Sequence, residues 1–165
     1  MPELYPLAGG CAVYNLQKNE SEKLMEIRTE TEIKATAQAV WEVLADLKSY
    51  PEWNPFTYEA LGELTMGAEI RLKVRFPDGS EMRTRHYVCA LETNKELSWN
   101  HTNIPLLMWS ERRQIIEPID ETRVRLVNRE FVWGPLAPLA IWLYGTRIEG
   151  GMKQSAEAVK KRVEK

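Results

Sequence analysis

The sequence predicts an α+β domain in which a curved antiparallel sheet of about seven strands wraps a long C-terminal helix, with two short helices after strand one. Three observations carry that expectation. Short runs of alternating polarity follow one another along most of the chain, and alternation is the period of a half-buried strand. Turn signals such as Pro77-Asp78-Gly79 separate the runs closely enough for antiparallel neighbours to pair. After Gly134-Pro135 the pattern changes to helical spacing and keeps it nearly to the end.

The elements follow in order. Residues 1–24 carry no strand or helix period and read as an N-terminal extension, leaving 25–165 as one domain. Glu26 to Ile33 alternates, with Ile27, Thr29, Thr31 and Ile33 on one face. Thr36 suits the cap of a helix from Ala37 to Leu47, whose Val40, Trp41, Leu44 and Leu47 share a side. Ser49 to Pro55 reads as a second, short helical turn closed by its proline and bracketed by Asn54. Strands are expected over 57–64, 68–76, 81–92, 96–102, 107–117 and 122–133. The last helix opens near Pro138, a residue tolerated in a first turn, and runs to about Val163. Trp142, Leu143, Met152, Ala156, Val159 and Val163 mark its apolar side. Gly145, Gly150 and Gly151 let it bend or pass close to the sheet.

Composition bounds the function. A chain of 165 residues can bury roughly 70% of its unfolded surface, so a disulfide or metal is not needed for stability. The formal net charge is −2 with signs interspersed, which disfavours nucleic acid as a partner. Cys11 and Cys89 have no CxxC spacing and no histidine cluster, which argues against structural zinc and suits a reducing compartment. The apolar stretches are too short for integral membrane association and no secretory leader is legible, so the default location is the cytoplasm. No cofactor is implied, because P-loop, Rossmann and metal-ligand patterns are all missing. The oligomeric state is not legible. Six tryptophans exceed what a core of this size demands, and some are expected to line a cavity.

A sheet curled over an apolar helix encloses space, and strand phase says which residues face it. Val124 and Leu126 set an inward phase that carries Asn128, Glu130 and Val132, while Ile116 carries Gln114, Arg112 and Ser110. Glu111, Arg113 and Glu117 then face water. A turn at Ile119 to Glu121 would set Ile116 against Val124 and Arg112 against Asn128, leaving Arg112 and Glu130 as diagonal neighbours. Val88 and Ala90 carry His86 inward with Met82 and Thr84, and Leu97 and Trp99 carry His101 toward the rim. Leu72 and Val74 stand on the apolar wall. Trp109 has the outward phase and is expected to be covered by the extension.

The stretch Ala39-Val40-Trp41, Asp46 and Tyr50-Pro51-Glu52-Trp53-Asn54-Pro55-Phe56 resembles a segment of the START-like, or SRPBCC, superfamily, in its polyketide cyclase/dehydrase branch. Thr122-Arg123 through Arg129-Glu130-Phe131 and Gly134-Pro135-Leu136 give a second match, and the resemblance covers about 25–164. It implies a helix-grip fold with an internal cavity, and places Tyr50, Trp53 and Phe56 at the cavity border.

Three functions stand open. The first is binding or carriage of a small hydrophobic or amphipathic molecule by Tyr50, Trp53, Phe56, Leu72, Val74, Trp99, His101, Gln114 and Asn128. The second is a cofactor-free cyclase, dehydratase or lyase using His86 or Glu130 as base and Arg112 to stabilise an enolate. The third is an interaction protein like the chaperone activators of the same superfamily. The Arg112–Glu130 pair itself reads either as a structural ion pair or as a polar floor for a carbonyl or carboxylate.

Overall fold

Alternation becomes pairing in the computed structural model, which describes residues 24–164. The order is β1 (Met25–Ile33), α1 (Ala37–Ala45), a 3₁₀ turn (Leu47–Ser49), α2 (Tyr50–Trp53), β2 (Thr57–Leu61), β3 (Glu69–Arg75), β4 (Glu81–Glu92), β5 (Glu96–Ile104), β6 (Met108–Asp120), β7 (Arg123–Trp133) and α3 (Ala137–Val163). All seven strands form one antiparallel sheet in the order β1-β7-β6-β5-β4-β3-β2. The first and second strands of the chain are therefore its two edges. The expected extension over 1–24 lies outside the described residues, apart from Leu24.

Local chemistry accounts for the helical connection. The Thr36 hydroxyl accepts a hydrogen bond from the Ala39 amide at 3.2 Å and opens α1. The expected single helix to Leu47 instead ends at Ala45, and Asp46 turns the chain into the 3₁₀ segment. Asn54 Oδ1 accepts from the amides of Phe56 at 3.1 Å and Thr57 at 2.9 Å, which aims Phe56 inward and starts β2.

α3 crosses the concave face. Met152, Ala156 and Val159 are buried against the sheet, while Ile141 and Ile148 pack on the same cluster. Trp142 and Leu143, expected on this side, face away from it, and Trp142 is 79% exposed. At 100° per residue they project away from the line through Ile141, Ile148 and Val159. Gly150 and Gly151 act as expected, whereas Gly145 has no neighbour that a methyl would crowd. A methyl on Gly151 would overlap the Phe56 ring, and one on Gly150 would stand 2.9 Å from Pro77 Cγ, so the helix can lie this close only without side chains there.

Three other expectations are corrected. β6 extends further than expected, to Asp120, and the tighter turn at Glu121-Thr122 is held by Asp120 Oδ1 accepting from the Thr122 amide at 2.9 Å. With a bulge between Pro118 and Asp120, Ile116 faces Leu126 and Arg112 directly faces Glu130. The shift of two residues preserves every facing. A bulge between Val88 and Ala90 flips the phase beyond it, so Leu91, not Ala90, packs on the core. Glu111 is fully buried and Arg113 largely so, because the convex face carries a second cluster of Trp109, Phe131 and Trp133 with Leu24 packed against it. The Arg113 guanidinium bonds Glu111 at 2.8 Å and sits 5.7 Å from the Phe131 ring centre.

Candidate functional site

The sheet presents its inward side chains in rows that cross the strands. One row runs Val88, Trp99, Arg112, Glu130, Ile27. The next, toward the open end, places His101 beside Ser110 and Ser110 beside Val132. The opposite neighbour places Leu97, Gln114, Asn128 and Thr29 together. Successive rows lie two residues apart, roughly 7 Å along each strand.

Between sheet and helix lies a cavity of about 390 Å³, within the range of small-molecule sites. Its walls are mostly apolar, among them Leu72, Val74, Phe76, Trp99, Ile141 and Ile148. Into it project His86, His101, Arg112 and Glu130. The three side chains singled out for chemistry thus share one void.

Arg112 Nε donates to Glu130 Oε2 at 2.7 Å, and both side chains are largely buried. Each satisfies the other's charge, which is the condition for tolerating either in an apolar wall. The Arg112 guanidinium also lies 5.2 Å from the centre of the Phe56 ring, so Gly151, Phe56, Arg112 and Glu130 form one stacked sequence from helix to sheet.

The imidazoles of His86 and His101 lie with ring centres 4.9 Å apart, and Trp99 stands edge-on to His86 at 6.3 Å. Nε2 of His86 is 2.8 Å from the Thr84 hydroxyl. Its Nδ1 is closed off from solvent and lacks a hydrogen-bond partner among the described residues. Burial first, then the neighbouring His101 and Arg112, hold His86 well below the ordinary imidazole range. Burial also lowers His101, opposed by the Arg85 carbonyl and the Glu130 charge. Both rings are therefore neutral near pH 7, and a neutral imidazole can accept or donate a proton.

The remaining expected site residues divide between the cavity wall and other places. Gln114 and Asn128 face inward but belong to the row beyond Arg112 and Glu130, outside the cavity lining. The Tyr50 ring is buried, with its hydroxyl donating to the Leu44 carbonyl at 2.8 Å, and burial pushes its pKa up. Trp53 donates from Nε1 to Ser49 Oγ at 3.1 Å and borders a shallow groove between α2 and α3. Phe56, Leu72, Val74, Trp99 and His101 do line the cavity. Sequence reasoning passed over Ile141, Tyr144 and Ile148, which line it from α3. Their spacing of three and four is a helical stripe, but Trp142 and Leu143 blur it.

Residues 25–164 match the sequence profile of the family described as polyketide cyclase/dehydrase and lipid transport. Among solved structures, the chain is similar to the di-domain ARO/CYC BexL from the BE-7585A biosynthetic pathway, at 17% identity and TM-score 0.71. That match covers 92% of this chain and 53% of the other, so the chain spans about half the length of the di-domain protein. It is also similar to the Zhui aromatase/cyclase from a Streptomyces species, at 20% identity and TM-score 0.66, covering 86% of this chain and 94% of that one. A START superfamily protein from Mycobacterium smegmatis matches at 21% identity and TM-score 0.65, over 84% and 97% of the two chains. At these identities the likeness is one of fold. No curated protein sequence matches the chain. Among the described residues, no helix is long and apolar enough to cross a membrane.

Proposed function

Because the chain belongs to the polyketide cyclase/dehydrase and lipid transport family, we propose that its cavity binds a small amphipathic molecule. The observation that carries this reading is the meeting of two imidazoles and a buried ion pair in one mostly apolar void. The apolar body of the ligand rests on Leu72, Val74, Trp99 and Ile141, and its carbonyl or hydroxyl end meets His86, His101 and Arg112. Such a ligand gains from burial and from satisfying the orphan Nδ1 of His86.

Native mass spectrometry of the purified protein, with displacement of a fluorescent hydrophobic probe, tests this. A retained or titratable one-to-one ligand is expected. His86→Phe should weaken a hydroxyl-bearing ligand roughly tenfold, equivalent to about 1.4 kcal/mol, and leave a hydrocarbon analogue unchanged. A cavity that takes up neither kind of molecule would sink the reading.

A second reading has its own support in the neutral His86 with an unused ring nitrogen. There the same site acts as a cofactor-free cyclase or dehydratase, His86 moving a proton while Arg112 stabilises enolate charge. His86→Ala and Glu130→Gln should keep the native circular dichroism and lower turnover of a candidate polyketide by about 10²–10⁴-fold. Full rates in both variants would remove this mechanism and leave binding alone.

A further inference from the structure

The sheet has two faces, and the helices lie on one of them. Val40, Tyr50 and Met152, one from each helix, belong to the same core cluster as the inward residues Ile116, Val124 and Leu126. An antiparallel sheet covered on one side commonly shows its other face to water. This one does not. Neighbours along a strand point to opposite faces, so Glu111 and Arg113 flank Arg112 on the convex side, as Arg129 and Phe131 flank Glu130. Yet Glu111 is 0% exposed and Phe131 1%, and Ser98, Trp109, Val127 and Trp133 are buried around them. Among the described residues, the apolar side chain packed on this aromatic cluster from beyond it is Leu24.

Residues 1–23 lead into Leu24, and their composition suits a cover. Of the first 17 residues only Glu3 carries a charged side chain, in a chain where 28% of residues are charged. Leu4, Tyr5, Leu7, Val13, Tyr14 and Leu16 bring apolar surface that gains from burial. Their reach is ample, because crossing from β1 over β7 and β6 to β5 takes roughly 14 Å, the span of about five extended residues. The charges on the convex face are already matched, Arg113 to Glu111 at 2.8 Å and Arg129 to Glu26 at 2.7 Å. An uncharged segment laid over them therefore strands no charge.

Tethering selects this occupant over others. A segment joined to the face through Leu24 acts at an effective concentration on the order of millimolar, above what a second copy or a separate protein offers. We propose that residues 1–23 bind across the convex face of β5, β6 and β7 as an intramolecular strap, with apolar side chains over Trp109, Phe131 and Trp133. The strap braces from behind the two strands that carry Arg112 and Glu130, and its binding does not depend on what the cavity holds.

Photo-cross-linking and hydroxyl-radical footprinting of the full chain, both read by mass spectrometry, test it. With benzoylphenylalanine in place of Tyr14, cross-links should map to the convex side of β5, β6 and β7 within one chain. In the native chain Trp109 and Trp133 should resist oxidation while the exposed Trp142 is labelled. Combining Leu4→Asp, Leu7→Asp, Val13→Asp and Leu16→Asp should raise labelling of Trp109 and Trp133 several-fold and lower the melting temperature. Met152, buried in the other cluster, should stay unlabelled, which separates uncovering from unfolding; were it labelled too, the cross-link map would decide. The proposal is overturned if no cross-link reaches the convex face, or if the fourfold variant keeps both tryptophans protected. Cross-links that join light to heavy chains in an isotopically mixed sample would assign the face to a second copy and overturn it as well.

Discussion

Single residues in this fold act through what stands behind them. Gly151 is the clearest case, because α3 meets Phe56 at that point and Phe56 in turn lies under Arg112. Gly151→Ala gains about 1 kcal/mol of helix propensity but forces a methyl into an aromatic ring, an overpacking cost of about 1–3 kcal/mol. Urea denaturation should show a net loss of stability, and probe binding should weaken as Phe56 is pushed toward the cavity. A stabilised variant would mean that the ring gives way freely. His86 and His101 predict a pH dependence of stability. Both are depressed in the folded chain, so the unfolded chain takes up protons first as pH falls below about 6.5. Their contribution is complete above that value and declines as the pH drops through it. The denaturation midpoint should fall between about pH 7 and pH 5.5, and His86→Gln should flatten that slope. The inward facing of Arg112 and Glu130 was legible from alternation because a register shift of two preserves parity, and that of His86 because the bulge in its strand lies beyond it. The burial of Glu111 was not, since phase states which side a residue faces and not what covers that side.

At the scale of elements, the short helices and the turns do the positioning. Asn54 holds two amides with one oxygen and so fixes where Phe56 enters the core. Asn54→Ala leaves both amides unsatisfied, and a loss of about 1–3 kcal/mol is expected by thermal or chemical denaturation. Asn54→Asp, which keeps an acceptor, should recover much of it. The element order and the bracketing role of Asn54 were readable from residue chemistry, as was the passage of α3 over the sheet. Strand ends were less so, because β6 is extended past its expected end by pairing with β7. The bulge between Val88 and Ala90 was invisible, since an extra residue in a strand leaves no mark in a run that is apolar on both sides. The apolar side of α3 was misjudged in its first turns, where a stripe cannot be told from an all-apolar surface.

For the whole molecule, the cavity is an interior that the fold builds without filling. A ligand that occupies it at 100 times its dissociation constant should raise stability by about 2.7 kcal/mol, and a concentration-dependent thermal shift measures this directly. An amphipath that leaves the melting temperature unmoved at saturation would not be held by the folded form. The sheet order has a consequence in time as well as in space. β1 finds its hydrogen-bonding partner only in β7, where Met25 lies opposite Val132. At a synthesis rate on the order of 10 residues per second, β1 leaves the ribosome on the order of 10 s before β7 can meet it. During that interval an amphipathic strand waits with both edges unpaired, an invitation to pair with another chain. Ribosome-bound intermediates truncated before β7 are therefore where chaperone contact and misassembly should concentrate, and release of the finished C-terminal helix is what closes the domain.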